Sequence, residues 1–279
     1  MNPWREAALP GVASGGPTLH TLEQLYSPQF GNFRDLLVAA PAGARQGRLR
    51  YPVLYLQDGQ NLFDPRTSYA GDWGLGPALA HAVDAGIGLI VVGIPNMGPR
   101  RRFEYSPVRD IRHGGGGADR YLDFLTGTVK PIVDEAFPTI PGADHTIIGG
   151  SSMGGLLSLY GFYSRNDAFG ACASLSPALW FADGEVFEYI RRTPRPRGRL
   201  HVDIGTAEGT RALSDVRRMR VLLEEAGFHE GEDLSFVEDE GAPHNEVAWG
   251  RRLALTLPFL LGAKPETSRL QAGVSHVES

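Results

Sequence analysis

An apolar β-like run, His145-Thr146-Ile147-Ile148, passes through Gly149-Gly150-Ser151-Ser152-Met153-Gly154 straight into a helix-like run, Leu156-Leu157-Ser158-Leu159-Tyr160. A chain that leaves a strand and enters a helix with no loop between must turn through strained backbone. The small residues two before and two after Ser152 are what let it pack there. The turn also has a chemical consequence. A serine hydroxyl scarcely ionises at neutral pH, so it attacks a carbonyl only when its Oγ is projected clear of the backbone toward a base. Ser152, the central serine of a G-x-S-x-G pattern, is therefore the candidate nucleophile. The backbone N–H of Met153, at the helix N-terminus, is a candidate donor to an oxyanion. The same glycines would also suit a βα turn that packs closely or cradles a phosphate. No lysine directly follows Gly155 and there is no G-K-[ST], which argues against the phosphate version.

The rest of the chain repeats the strand-then-helix theme. Apolar runs at Asp35–Ala40, Tyr51–Gln57, Gly88–Ile94, His145–Gly149, Phe169–Leu175, Arg199–Ile204 and Leu234–Glu238 read as strands, several apolar on both faces as strands between helix layers must be. Helical spacing or caps fill the gaps at Gly76–Asp84, Arg120–Phe137, Met153–Arg165, Glu185–Arg192, Leu213–Ala226 and Glu246–Leu261. Alternation of this kind implies an α/β fold, a mostly parallel central sheet with helices on both faces. The first strand or two, lying before any helix, would extend it as an antiparallel N-terminal edge. With 279 residues and no Pro/Gly/Ser-rich linker, residues 1–264 read as a single domain, and the polar, aperiodic 265–279 as a mobile tail.

Composition narrows the partners. A formal charge of −5 carries no polyphosphate-binding signature, so nucleic acid is not an expected partner. The segment Met1-Asn2-Pro3-Trp4-Arg5-Glu6 lacks the basic and apolar regions of a secretion signal, and no apolar stretch approaches a membrane span. A soluble cytoplasmic protein with no membrane partner is the expectation. Cys172 is the only cysteine, which leaves no intrachain disulfide and no thiolate metal site; within Gly170-Ala171-Cys172-Ala173-Ser174 it reads as core. The histidines show no close ligand spacing, so neither a metal nor another cofactor is indicated.

A serine nucleophile needs a base, and the base needs an orienting carboxylate. On a sheet carrying this turn the partners follow in the order Ser, acid, His, with the histidine after the last strand. Ahead of the polar tail, the histidines downstream of Ser152 are His201, His229 and His244. His201 falls inside a strand and His229 in a Gly-Phe-His-Glu-Gly loop. His244 lies between the last strand and the last helix, where the base must be; its bland role would be a surface helix cap. For the acid, Thr206-Ala207-Glu208-Gly209 places Glu208 at the C-terminal end of a strand, where open α/β sheets assemble their sites. Glu208 is preferred over Asp203, inside that strand, and Asp215, at the start of the following helix. A second oxyanion donor is expected from the loop after Val53-Leu54-Tyr55-Leu56, with the N–H groups of Gly59 or Gln60 as candidates and Asp58 as a turn former.

Taken together, these residues carry a family resemblance. Tyr55-Leu56-Gln57-Asp58-Gly59-Gln60-Asn61-Leu62-Phe63-Asp64, Gly93-Ile94-Pro95-Asn96 with Arg101 and Glu104-Tyr105-Ser106-Pro107, Gly149 to Gly155, Ser174-Leu175-Ser176-Pro177-Ala178-Leu179-Trp180, and Gly241-Ala242-Pro243-His244-Asn245-Glu246 with Trp249 occur in order over about residues 25–262. The chain resembles the putative-esterase family of α/β-hydrolases that includes enterochelin esterases, feruloyl esterases and mycolyltransferases. That resemblance implies an α/β-hydrolase fold and hydrolysis of a small-molecule ester by Ser152 and His244, without naming the ester. It carries Glu208 less directly, because many relatives have Asp there.

Phe63, Trp73, Tyr105 and Trp180 are candidates to line an acyl or aryl pocket, with core packing the alternative for each. Arg101 and Arg102, beside Glu104, are candidates to hold an anionic substrate group, with a solvated salt-bridged loop the alternative. The expected function is a serine carboxylic ester hydrolase working through an acyl-enzyme. An acyltransferase would use the same machinery, and a non-catalytic hydrolase-fold binding module is the reading from another class.

Overall fold

The computed structural model describes residues 3–69 and 71–262, so the tail expectation for 265–279 lies outside the described residues. The chain opens with β1 (Trp4–Ala8), β2 (Thr18–Ser27) and β3 (Asn32–Ala40), antiparallel in sequence. Then follow β4 (Val53–Gln57), α1 (Leu75–Asp84), β5 (Ile90–Ile94), α2 (Arg101–Tyr105) and a short hairpin of β6 (Arg109–Asp110) and β7 (Gly114–Gly115). The remaining elements are α3 (Ala118–Phe124), α4 (Lys130–Ala136), β8 (Thr146–Ser151), α5 (Met153–Ser164), β9 (Ala171–Leu175), α6 (Glu185–Arg192), β10 (Arg199–Gly205), α7 (Thr210–Glu225), β11 (Leu234–Asp239) and α8 (Glu246–Leu260).

Nine strands form one sheet in the order β1-β2-β3-β5-β4-β8-β9-β10-β11. From β5 to β11 every neighbouring pair is parallel, and β3 joins β5 antiparallel. This is the α/β-hydrolase architecture expected, with an antiparallel edge of three strands rather than one or two. Side chains alternate between two covered faces, which is why the strands read as unbroken apolar runs. Val53, Tyr55, Val92, Ile148, Cys172 and Val202 pack on one face with Leu122, Leu157, Phe162 and Met219 from the helices. Leu54, Leu56, Val91, Ile147 and Ala173 pack on the other with Leu75 and Leu79 of α1 and Leu253 and Leu257 of α8.

The helical stretch read as one from Arg120 to Phe137 is two helices joined by a π turn, Leu125–Val129. Pro131 has no N–H for the carbonyl of Gly127 four residues back, and its ring would crowd that carbonyl; a wider turn relieves both. More important for function is the order of β4. The chain steps outward from β4 to β5 and later returns to the other side of β4 with β8. The connections leaving β4 and β8 therefore diverge, and at such a switch point the C-terminal ends of the strands open a crevice.

Candidate active site

Ser152 follows β8 and caps α5 with φ 56° and ψ −119°, a conformation that costs an L-residue on the order of 1–3 kcal/mol. Three bonds hold it there. Its N–H donates to the Leu175 carbonyl of β9 (3.0 Å), and its carbonyl accepts from Leu156 and Ala178 (3.0 Å each). The glycines around it are steric requirements. A Cβ on Gly150 would lie 2.9 Å from the Gly154 carbonyl carbon and 2.6 Å from Gln57 Oε1, and one on Gly155 2.8 Å from the Leu175 carbonyl oxygen. Ser151 is buried whereas Ser152 is part-exposed, which separates the two neighbouring serines. The Met153 N–H stands in the first turn of α5, where amides have no acceptor within the helix.

Across the switch point, Gly59–Asn61 form a 3₁₀ turn that brings the N–H groups of Gly59 and Gln60 to the end of β4. Gly59 lies directly against β5: a Cβ there would be 2.4 Å from the Gly93 carbonyl carbon. Asp58 adopts the left-handed conformation, φ 57°, as a turn former. It is also the centre of a clamp. Its carboxylate accepts from Arg101 Nε and Nη2 (2.7 Å each) and from Asn96 Nδ2 (2.6 Å), and its own N–H donates to Tyr105 Oη (3.1 Å). The Asn96 N–H in turn donates to Gln60 Oε1 (3.1 Å).

His244 sits between β11 and α8, with its side chain 44% exposed. Asn245, the next residue, caps α8 by accepting from the Ala248 N–H (3.0 Å), which fixes the backbone just after the histidine. The His244 ring meets Trp249 in a T-shaped contact, centroids 4.7 Å apart at 90°. Its Nδ1 lies 2.6 Å from Glu208 Oε2. Glu208 ends the 3₁₀ turn Thr206–Glu208 after β10, and its Oε1 accepts from the Gly205 N–H (2.8 Å) and Ser176 Oγ (2.6 Å). Burial alone would raise the Glu208 carboxyl, but the hydrogen bonds from His244, Ser176 and Gly205 outweigh it and hold the group below the ordinary glutamate value.

The other candidate acids are engaged elsewhere. Asp203, fully buried in β10, faces Arg252 Nε (3.0 Å) and His201 Nε2 (3.1 Å). Asp215 lies within α7, 3.9 Å from Arg211 Nε. His201 is a satisfied core residue, its Nδ1 bonded to Ser235 Oγ (3.0 Å), and His229 is exposed in its loop.

The structure distributes the aromatic and basic candidates unevenly. Phe63 and Trp73 are buried in the core face against α1 and α8, with Trp73 centred 6.1 Å from Trp249. Tyr105 is fully buried on the opposite face, and burial pushes its hydroxyl well above the ordinary phenol value. Trp180 differs: 40% of it is exposed, on the loop after β9, with the His113 ring 5.8 Å away. Arg101 is committed to Asp58, whose charge raises its pKa further even though burial opposes it. Glu104, far from being solvated, is fully buried and accepts from both Nη atoms of Arg34 (2.8 and 3.1 Å). The clamp on Asp58 had no local signal, since Asn96 and Arg101 stand 38 and 43 residues away in sequence.

A cavity of about 380 Å³ opens between α5 and α6, lined by Val108, Leu156, Tyr160, Phe181, Val186 and Tyr189 among others. Leu156 is the residue whose N–H holds the Ser152 carbonyl. Among the described residues no group of three or more His, Cys, Asp or Glu could hold a metal ion, and no helix is long and apolar enough to cross a membrane.

A strained serine after one central strand, with a histidine–carboxylate pair after two others, defines the hydrolase class of α/β proteins. The chain belongs to the putative esterase family, whose model matches residues 27–260. It is 34% identical over 141 residues to the siderophore triacetylfusarinine C esterase of Aspergillus fumigatus, covering 48% of this chain and 47% of that one. The match thus spans about half the length of that relative. Among solved structures it is similar to the BES protein of Bacillus cereus, with TM-score 0.71 and 20% identity over 89% of this chain and 95% of that one. It is also similar to a CE1 ferulic acid esterase of Anaeromyces mucronatus, with TM-score 0.68 and 20% identity over 92% and 94%. At such identities the likeness is one of fold.

Proposed function

We propose that the protein is a serine carboxylic ester hydrolase acting through an acyl-enzyme, with Ser152 as nucleophile, His244 as base and Glu208 as orienting acid. The observation that carries this reading is the 2.6 Å bond between His244 Nδ1 and Glu208 Oε2, at the C-terminal ends of the parallel strands, the side of the sheet on which Ser152 is held in its strained turn. Ser152 Oγ attacks the ester carbonyl as its proton passes to His244 Nε2. The Met153 N–H and an N–H of Gly59 or Gln60 take the oxyanion. Collapse expels the alcohol, which leaves with the proton held by His244. Water then gives a proton to the same nitrogen and attacks the acyl carbon, releasing the acid and restoring Ser152.

The substrate we propose is a siderophore-type ester, on the strength of the Aspergillus fumigatus relative; the apolar cavity beside α5 and the exposed Trp180 ring supply surfaces for its non-polar portions. The test is a hydrolysis panel of a trihydroxamate trilactone, methyl ferulate and p-nitrophenyl esters of graded chain length. Ser152→Ala should lose roughly 10⁴- to 10⁶-fold in kcat on every ester the native protein turns over, with its fold unchanged by circular dichroism. A Ser151→Ala variant that loses activity while Ser152→Ala keeps it would refute the assignment. Preference for methyl ferulate over the trilactone would refute the substrate class alone.

A further inference from the structure

Ser176 begins the loop after β9 and is 2% exposed. Its φ is 41°, a left-handed conformation that a serine adopts only when its surroundings impose it. The imposition is visible: its N–H donates to both the carbonyl and Oδ1 of Asp203 (3.0 Å each). The side chain then meets three partners. Oγ lies 3.0 Å from Trp249 Nε1, 2.7 Å from Arg252 Nη2 and 2.6 Å from Glu208 Oε1.

Counting hydrogens fixes the direction of all three bonds. An indole N–H and a guanidinium can only donate, and a hydroxyl has one proton and two lone pairs. Trp249 and Arg252 occupy both lone pairs, so the single Ser176 proton has nowhere to go but Glu208. Oε1 accepts that O–H and the Gly205 N–H, bonds that favour the ionised carboxylate, so Oε2 is an acceptor too and His244 must carry a proton on Nδ1 to bond it. That leaves Nε2 with the lone pair a base requires. Trp249 closes the ring of contacts, since the indole that donates to Ser176 is also the one in T-shaped contact with His244. Three segments, after β9, after β10 and within α8, meet at this one hydroxyl, and His244, after β11, joins them through Glu208 and Trp249.

We propose that Ser176 is a positioning residue of the active site, a one-way hydrogen-bond donor that fixes the Glu208 carboxylate and, through it, the tautomer and orientation of His244. This rests on the reading of Ser152, His244 and Glu208 as the catalytic set. The titratable and charged groups facing Glu208 are His244 and Arg252 (3.5 Å), and Arg252 is shared with Asp203 (3.0 Å) and Asp239 (3.4 Å).

The experiment compares Ser176→Ala with the native enzyme by kcat and KM, by the pH dependence of kcat/KM, and by the downfield proton resonance of the His244 Nδ1–H in histidine-labelled protein. We expect kcat to fall roughly 10- to 100-fold, as when a group that orients a reacting partner is removed, with KM within about threefold. The acid limb should move to higher pH, because the charged form of Glu208 loses a donor, and the Nδ1–H resonance should move upfield. Trp249→Phe, which keeps an aromatic face on His244 and leaves the Ser176 proton on Glu208, should cost less than Ser176→Ala. Unchanged kcat, pH profile and resonance would overturn the proposal. So would a loss of thermal stability with the resonance and acid limb unmoved, the signature of a merely structural role. If the alanine variant does not fold, Ser176→Cys carries the same readouts with a weaker donor in place, and native values there would overturn it equally. The resonance is read without turnover. Native activity in Glu208→Gln would thus indict the catalytic set, whereas a crippled Glu208→Gln beside native Ser176 variants would indict this proposal alone.

Discussion

At the scale of single residues, the Glu208 carboxyl makes a sharp prediction. Glu208→Gln keeps the volume but removes the charge that stabilises the imidazolium, and the loss in kcat should be on the order of 10⁴, as for isosteric changes of a triad acid elsewhere. Stability carries a second signature. Because the folded pKa of Glu208 is depressed, its contribution is fully present above the unfolded value of about 4.3 and is lost as pH falls through the lower folded value. The difference in Tm between native protein and Glu208→Gln should therefore shrink on going from pH 6 to pH 3; a constant difference would contradict the depressed value. Arg101 gives a third test. Its two-pronged grip on Asp58 fixes the loop that offers the Gly59 and Gln60 N–H groups, and a lysine keeps the charge without the fork. Arg101→Lys should lower kcat by about 10²-fold, the scale of a displaced catalytic group, while KM changes little; steady-state kinetics that show the reverse would return Arg101 to substrate binding. That Ser152, Glu208 and His244 stand just past the ends of β8, β10 and β11 was readable in the chain, because apolar strand runs and the helices that follow them bracket each residue. Phe63 and Tyr105 were not separable from pocket residues, because an aromatic in a loop motif looks alike whether its ring faces a cavity or a core. Ser176 and the Asp58 clamp act through partners distant in sequence, and no local pattern records such contacts.

At the scale of elements, the central strands and most helices could be read because burial on both faces writes continuous apolar runs, and because Gly or Asn marks so many ends. The first two strands could not. In β2, Thr18-Leu19-His20-Thr21-Leu22-Glu23-Gln24-Leu25-Tyr26-Ser27 is largely part-exposed and broken by a register shift between Leu22 and Leu25, so no clean alternation survives. The five residues of α2 are too few for helical periodicity, and their fully buried Glu104 reads as a surface residue until Arg34 is placed beside it. The turn between β8 and α5 is the element on which the proposed function hangs, and its tolerance is measurable. Gly150→Ala puts a methyl group against the Gly154 backbone and Gln57, and should destabilise by about 1–3 kcal/mol, the usual cost of overpacking, with activity falling further than stability because Ser152 is displaced. Denaturant midpoints and kcat report the two effects; an alanine variant with native values of both would show the turn to be slacker than its contacts imply.

At the scale of the whole molecule, one topological fact assembles the site. The chain leaves β4 toward β5 and comes back as β8 on β4's other side, so the loop bearing Gly59 and Gln60 and the turn bearing Ser152 flank the same crevice. Adding β9, β10 and β11 in order then sets Ser176, Glu208 and His244 at successive strand ends, each one step farther across the sheet. Alternating strands and helices foretold a doubly wound sheet, but the strand order that creates the crevice depends on pairing between distant segments. Covalent catalysis by Ser152 is tested by trapping the adduct: the native protein is treated with a fluorophosphonate and, separately, quenched during turnover of a p-nitrophenyl ester, and the modified peptide is identified by mass spectrometry. The expected result is one phosphonyl group and one acyl group, both on Ser152, with neither adduct in Ser152→Ala. Modification at another residue, or turnover that persists with Ser152 unmodified, would contradict it.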